Sequence, residues 1–180
     1  MKKFHLFILM AISTITYSQS PISFEKVIKT DSVGKSIIYS SVLEWFAVTY
    51  KNSSEVLQMT DIDAGIIVGN GSVGYNHKGL SYLCYEGYIH YKIKIYFKDN
   101  RYKVILSNFT HSNLRGNSPS CELGLITDAE KYAIKGMSKK YHNAVWNEIK
   151  VKMEDYSNSI FNSLELHTRK ISTEKISDDW

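Results

Sequence analysis

Two periodicities divide the chain. Leu83, Tyr85, Ile89, Tyr91, Ile93, Ile95 and Phe97 fall on one face of an alternating pattern, and Cys84, Glu86, Tyr88, His90, Lys92, Lys94, Tyr96 and Lys98 on the other. Alternation of period two marks a half-buried antiparallel strand. Asp99-Asn100 then reads as a two-residue hairpin turn. Such a loop sets the register: Phe97 pairs with Tyr102, Ile95 with Val104 and Ile93 with Leu106, and all six share one face. Towards the C-terminus the period becomes helical, with Val145, Ile149, Met153, Tyr156, Ile160 and Leu164 recurring in a segment that Ser138 can cap and that reaches about Arg169. At 1.5 Å per residue this helix would extend ~48 Å and overhang a small sheet. Either it breaks near Ser157-Asn158-Ser159 or its far half packs on something else.

The first half is shorter in its elements. Ile22 to Thr30 reads as a strand with Phe24 and either Val27 or Ile28 inward. Its imperfect alternation allows a bulge. Asp31 or Ser32 can cap a helix over Lys35–Tyr50, where Ile38, Val42, Phe46 and Val48 or Tyr50 make a stripe that Leu43 and Trp45 widen. Lys51 to Ser54 ends it. Val56 to Thr60 reads as a second strand, Asp61-Ile62-Asp63 as a turn, and Ala64 to Val73 as a third strand loosened by Gly65, Gly69 and Gly71. Trp45, Phe46 and Met59 read as core. Gly74 to Gly79 is a polar turn. Thr110 to about Gly136 is a polar connection with a short strand at Gly124 to Thr127. Long connections of this kind are uncommon unless functional or pinned.

The order is β-α-β-β-β-β-α. Two amphipathic helices and one sheet with a single apolar face make an α+β two-layer sandwich, an antiparallel sheet with both helices on one face. Only two prolines and no low-complexity run argue for a single domain over residues 19–171, with a flexible tail at 172–180.

The N-terminus adds location. Lys2 and Lys3 precede an apolar run from Phe4 to Ile15, and Thr16-Tyr17-Ser18 offers small residues for a cut before Gln19. Residues 1–18 read as a cleavable signal peptide. Spanning a bilayer takes about 20 apolar residues, more than this run supplies, and no later run is long enough. The mature chain is expected in the periplasm or outside the cell. Loss of Lys2 and Lys3 lowers the net charge from +4 to +2, too little to imply a nucleic-acid partner. In an oxidising compartment the two cysteines, Cys84 and Cys121, can form one disulfide that pins the long connection; two separate thiols are the alternative.

Leu43-Glu44-Trp45, Tyr50-Lys51, Gln58-Met59, Asp61 to Gly65, and Gly69-x-Gly71 resemble the core of a family of secreted Bacteroidetes proteins of unknown function with a TBP-like fold. The Tyr-rich hairpin and the closing helix around Trp146 are similar too. The resemblance covers most of Phe24 to about Leu166 and is looser after Thr110. It implies a TBP-like α+β fold and a signal peptide, and it implies no activity. A likeness in fold does not transfer DNA binding.

Signatures of catalysis are sparse. Gly69-Asn70-Gly71 lacks the spacing of a phosphate loop. Asp61 and Asp63 would share a strand face as an acid/base pair, but in a two-strand connection they read as turn formers. His77, His90 and His111 have no ligand spacing, and no GxSxG elbow exists. Neither a cofactor nor a metal is called for. The distinctive surface is the outer face of the hairpin, where Tyr88, Lys92, Lys94, Tyr96 and Lys98 would lie beside Arg101 and Lys103. Cations interleaved with aromatics bind anionic polymers by charge and stacking, whereas a lysine-rich face that only deters aggregation is the plainer reading. The expected function is a non-enzymatic binding module for an anionic glycan, lipopolysaccharide or another lipid headgroup, or an envelope protein. The alternatives are an envelope hydrolase assembled from Asp and His residues and a structural subunit, a homodimer through the last helix.

Overall fold

The hairpin anticipated from alternation is the centre of the protein. Its structure, a computed structural model, describes residues 19–114, 121–133 and 138–177; the expected signal peptide at residues 1–18 and the end of the tail at 178–180 lie outside the described residues. Strands β4 (Gly87–Lys98) and β5 (Arg101–Asn113) pair antiparallel around Asp99-Asn100, with Phe97 opposite Tyr102, Ile95 opposite Val104 and Ile93 opposite Leu106. Asn100 takes the left-handed conformation (φ 64°) that such a turn demands.

The remaining strands add outward. β1 (Ser23–Lys29) lies along β5, while β3 (Ile66–Tyr75) lies along β4 and carries β2 (Leu57–Asp61) at the edge, so the order is β1-β5-β4-β3-β2. β6 (Gly124–Leu125) extends β5 beyond β1. All pairings are antiparallel. Helices α1 (Lys35–Thr49) and α3 (Lys139–Ser177) cover one face, burying Ile38, Val42, Trp45 and Phe46 from α1 and Val145, Ile149, Met153, Ile160 and Leu164 from α3 against the inward residues of β4 and β5. The α+β two-layer architecture is as the patterns predict.

Several details depart from those patterns. Between Ile28 and Val27, Ile28 is the inward residue, and Val27 is 53% exposed. Neither Asp31 nor Ser32 caps α1. Asp99 of the distant hairpin turn does so, its Oδ1 accepting the Lys35 N–H at 2.8 Å. A single helical turn, α2 (Ser53–Val56), follows α1. Met59 is 46% exposed on the edge strand, so it is not core. The stretch before Gly87 is a 3-10 helix over Leu80–Tyr85 rather than a strand. Three residues per turn bring Tyr82 and Tyr85 to the same side, and Tyr85 is buried while Leu83 is exposed. Cys84 therefore sits on this helix, bonded to Cys121 with Cα atoms 5.7 Å apart.

α3 neither breaks near Ser157 nor needs another molecule for its far half. Ser157 is buried and its hydroxyl donates to the Met153 carbonyl (2.6 Å). Further along, Ser163 accepts from the Trp45 indole (2.9 Å), Glu165 pairs with Lys26 of β1 (2.9 Å), and Thr168 meets the Tyr102 hydroxyl (3.0 Å). β4 and β5 are 12 and 13 residues long, roughly 40 Å at about 3.4 Å per residue. The sheet is thus long enough for the helix to lie on it as far as Thr168. The helix runs on to Ser177, past the Arg169 stop and into the segment read as tail.

Candidate functional site

The face of the sheet away from the helices holds all seven residues singled out in the hairpin. Lys98 is opposite Arg101 and Tyr96 opposite Lys103, while Lys94, Lys92 and Tyr88 face Ile105, Ser107 and Ser112. Alternation places them there, because their neighbours Ile89, Tyr91, Ile93, Ile95 and Phe97 are taken by the core. No helix covers this face among the described residues, and Tyr88 and Tyr96 are exposed.

Register shows what surrounds the cations. One row across the sheet is Met59, Val68, Lys94, Ile105 and Glu25; the next is Asp61, Ile66, Tyr96, Lys103 and Val27. Val27, Met59, Ile66, Val68, Tyr96 and Ile105 therefore give these two rows an apolar patch interleaved with charges, bordered at the hairpin turn by the charged row Lys98, Arg101 and Lys29. The half farther from the turn, Asn70, Ser72, His90, Ser107, Thr110 and Ser112 with Tyr88, carries an amide, an imidazole and hydroxyls. Lys92 and Lys94 stand at the boundary and form no ion pair among the described residues, whereas Lys103 meets Glu25 at 2.7 Å. The apolar patch escaped the sequence because glycines blur the alternation of β3, which supplies Ile66 and Val68.

A bulge breaks the parity of this face. β5 carries one extra residue opposite the His90–Lys92 stretch. Asn108 fills it in the left-handed conformation (φ 56°) and stays exposed, while Phe109 and His111 turn inward. Asn tolerates this conformation better than most residues. On the core side, the Tyr91 hydroxyl lies between those of Tyr50 (3.0 Å) and Tyr156 (2.9 Å). Burial pushes Tyr50 up to about 12, against the opposing pull of its bond to Tyr91.

The residues weighed as an acid/base or metal constellation are apart and separately engaged. Asp61 Oδ1 accepts the Ala64 N–H (2.7 Å), making the turn, and the Asp63 carbonyl accepts from Lys35 (3.4 Å). His77 pairs with Glu148 on α3, His90 with Ser112 (2.9 Å), and His111 is buried between Tyr85 and Leu123. Burial would raise the Glu148 pKa, but bonds from Lys152 and His77 outweigh it and hold the carboxyl below its ordinary value. No group of three His, Cys, Asp or Glu that could hold a metal occurs among the described residues. No helix among them is long and apolar enough to cross a membrane.

With the fold in place, residues 24–112 match a domain of unknown function with a TBP-like fold, DUF4468. The chain carries a DUF4468 domain. Among solved structures it is similar to a DUF4468 family protein from Bacteroides ovatus ATCC 8483, at 16% identity and TM-score 0.58 over 82% of this chain and 86% of that one. It is also similar to a TBP-like protein from Parabacteroides distasonis ATCC 8503, at 16% identity and TM-score 0.53 over 81% and 93%. At such identities the likeness establishes the DUF4468 fold alone. No curated protein matches the chain.

Proposed function

We propose that this DUF4468 protein is a non-enzymatic binding module, secreted or periplasmic after loss of residues 1–18, that holds an anionic ligand on its open sheet face. The ligand classes are an acidic glycan, the phosphates of lipopolysaccharide or another lipid headgroup, and an acidic envelope protein; nucleic acid is not among them. Residues 19–171 form the module. The observation that supports it is the placement of Lys92 and Lys94 on the central strand, without carboxylate partners among the described residues, between an apolar patch and a hydroxyl-rich half of one face. A cation beside apolar surface attracts an anion more strongly than one surrounded by water, because field lines are less screened there. Tyr88 and Tyr96 add flat, exposed surface for stacking.

Affinity for an acidic polysaccharide and for lipopolysaccharide, measured at low and high salt, tests the reading. Salt-sensitive binding that weakens about tenfold when Lys92, Lys94 and Lys103 are replaced by Ala supports it. Salt-insensitive binding, or binding indifferent to those replacements, sinks it.

A further inference from the structure

Where β2 begins, the sheet edge opens. Leu57 pairs with Gly69, and no strand among those described pairs with β3 from Asn70 to Tyr75 on that side. The end of α1 and the turn of α2 stand over the gap, leaving a cleft of about 640 Å³ that runs from this edge onto the hydroxyl-rich half of the open face. The volume lies within the ~300–1,000 Å³ typical of small-molecule sites.

Its lining is chemically consistent. Asn52, whose Oδ1 also accepts from the Ser54 hydroxyl (2.7 Å), Asn70 and Asn108 supply three side-chain amides and Tyr50 a phenol, with Lys51, Lys92 and Glu55 as the charges on the wall. Amides and hydroxyls donate and accept at once, which suits the vicinal hydroxyls of a sugar ring. Two features of the fold point these groups inward. The bulge re-aims Asn108, which takes the left-handed backbone that asparagine tolerates. The Tyr156–Tyr91–Tyr50 chain of hydroxyls fixes the phenol at the floor. Neither Asn70, Asn108 nor Lys92 spends its side chain on another described residue. Two lysines against one glutamate leave the lining with one net positive charge, which suits a single negative group at Lys92 with the rest of the ligand neutral and disfavours a dense polyanion such as a phosphate cluster.

We propose that this cleft is a sugar subsite for a uronic acid residue, its carboxylate on Lys92 and its hydroxyls on the three amides and Tyr50. The proposal rests on the open-face reading, because Lys92 belongs to both, and it selects an acidic glycan from that reading's ligand classes.

Digalacturonate is the probe, titrated into the protein by calorimetry, with neutral galactobiose, inorganic phosphate and dodecyl phosphate as comparisons. An acidic polysaccharide at low and high salt reads the open face separately. The expected result is saturable binding of digalacturonate in preference to all three comparisons. Asn108→Gly, which keeps the left-handed backbone and removes the amide, weakens it by up to about tenfold, the upper end for one lost neutral hydrogen bond. Asn70→Ser weakens it similarly, and Lys140→Ala, at an exposed position of α3 away from both the cleft and the open face, leaves it unchanged. Three results overturn the subsite: no saturable binding of digalacturonate, equal or tighter binding of a comparison, or indifference to both Asn variants. If the polysaccharide still binds with salt sensitivity through Lys94 and Lys103, the open-face reading survives that loss; if the polysaccharide fails too, both fall.

Discussion

His111 is 0% exposed, and it ties together the two segments that the disulfide joins. Its Nε2 lies 2.9 Å from the Tyr85 carbonyl, one residue after Cys84, and its Nδ1 accepts the Leu123 N–H (3.3 Å), two residues after Cys121. A carbonyl can only accept and a backbone N–H can only donate, so the ring is neutral with its proton on Nε2. Burial holds its pKa below the ordinary 6.5, against smaller opposing effects of the Tyr85 carbonyl and Glu122. The sign follows. The unfolded chain takes up the proton first as pH falls, so the stabilisation is complete above 6.5 and is lost as pH drops through the depressed folded value. Within that window one proton changes stability by about 1.4 kcal/mol per pH unit. His111→Phe removes the titration and leaves the Tyr85 carbonyl and the Leu123 N–H buried without partners, at roughly 1–3 kcal/mol each. Urea denaturation followed by tryptophan fluorescence, from about pH 8 to about pH 5, measures both proteins. The expected result is a variant roughly 2–6 kcal/mol less stable at the alkaline end, with a gap that narrows below 6.5. Parallel stability curves for the two proteins would refute the assignment of a neutral, doubly bonded His111.

Three further outcomes follow from the packing. Replacing Cys84 and Cys121 by Ser opens a loop with a separation of 37 residues, and denaturation should show a loss of up to about 4 kcal/mol on the chain-entropy model; unchanged stability would mean that His111 and the β5–β6 pairing hold the connection alone. Gly71→Ala sets a Cβ 2.3 Å from the Tyr91 ring, so the ring must move and break its contacts with Tyr50 and Tyr156, for about 1–3 kcal/mol. A crystal structure with Tyr91 unmoved would count against this. Asp99→Ala removes the acceptor of the Lys35 N–H, and thermal unfolding should report a loss of about 1 kcal/mol, while Asp31→Ala and Ser32→Ala should lose less.

Local pattern determined much of this protein. Alternation and a two-residue turn specify the β4–β5 register, because a slip by one residue would turn every isoleucine of β4 to solvent. Helical spacing likewise marks the buried stripe of α3 from Val145 to Leu164. The seven residues of the basic face were legible for the same reason, since what points away from a core must share the opposite side. Other features depend on contacts distant along the chain. Asp99 caps α1 because the hairpin turn arrives beside it, which no local capping motif records. The Asn108 bulge reverses the parity of β5, so Phe109 and His111 point inward where simple alternation would turn them out. The length of β4 and β5 gives the far half of α3 a surface to lie on, which removes the need for a second chain. Sequence spacing is silent on which strand becomes an edge. That choice exposes Met59, joins Val27, Ile66, Val68 and Ile105 into an apolar patch among the charges, and opens the cleft at Asn70. Strand order is fixed only when the whole sheet forms, since each of these surfaces is built from side chains on three or more strands at once.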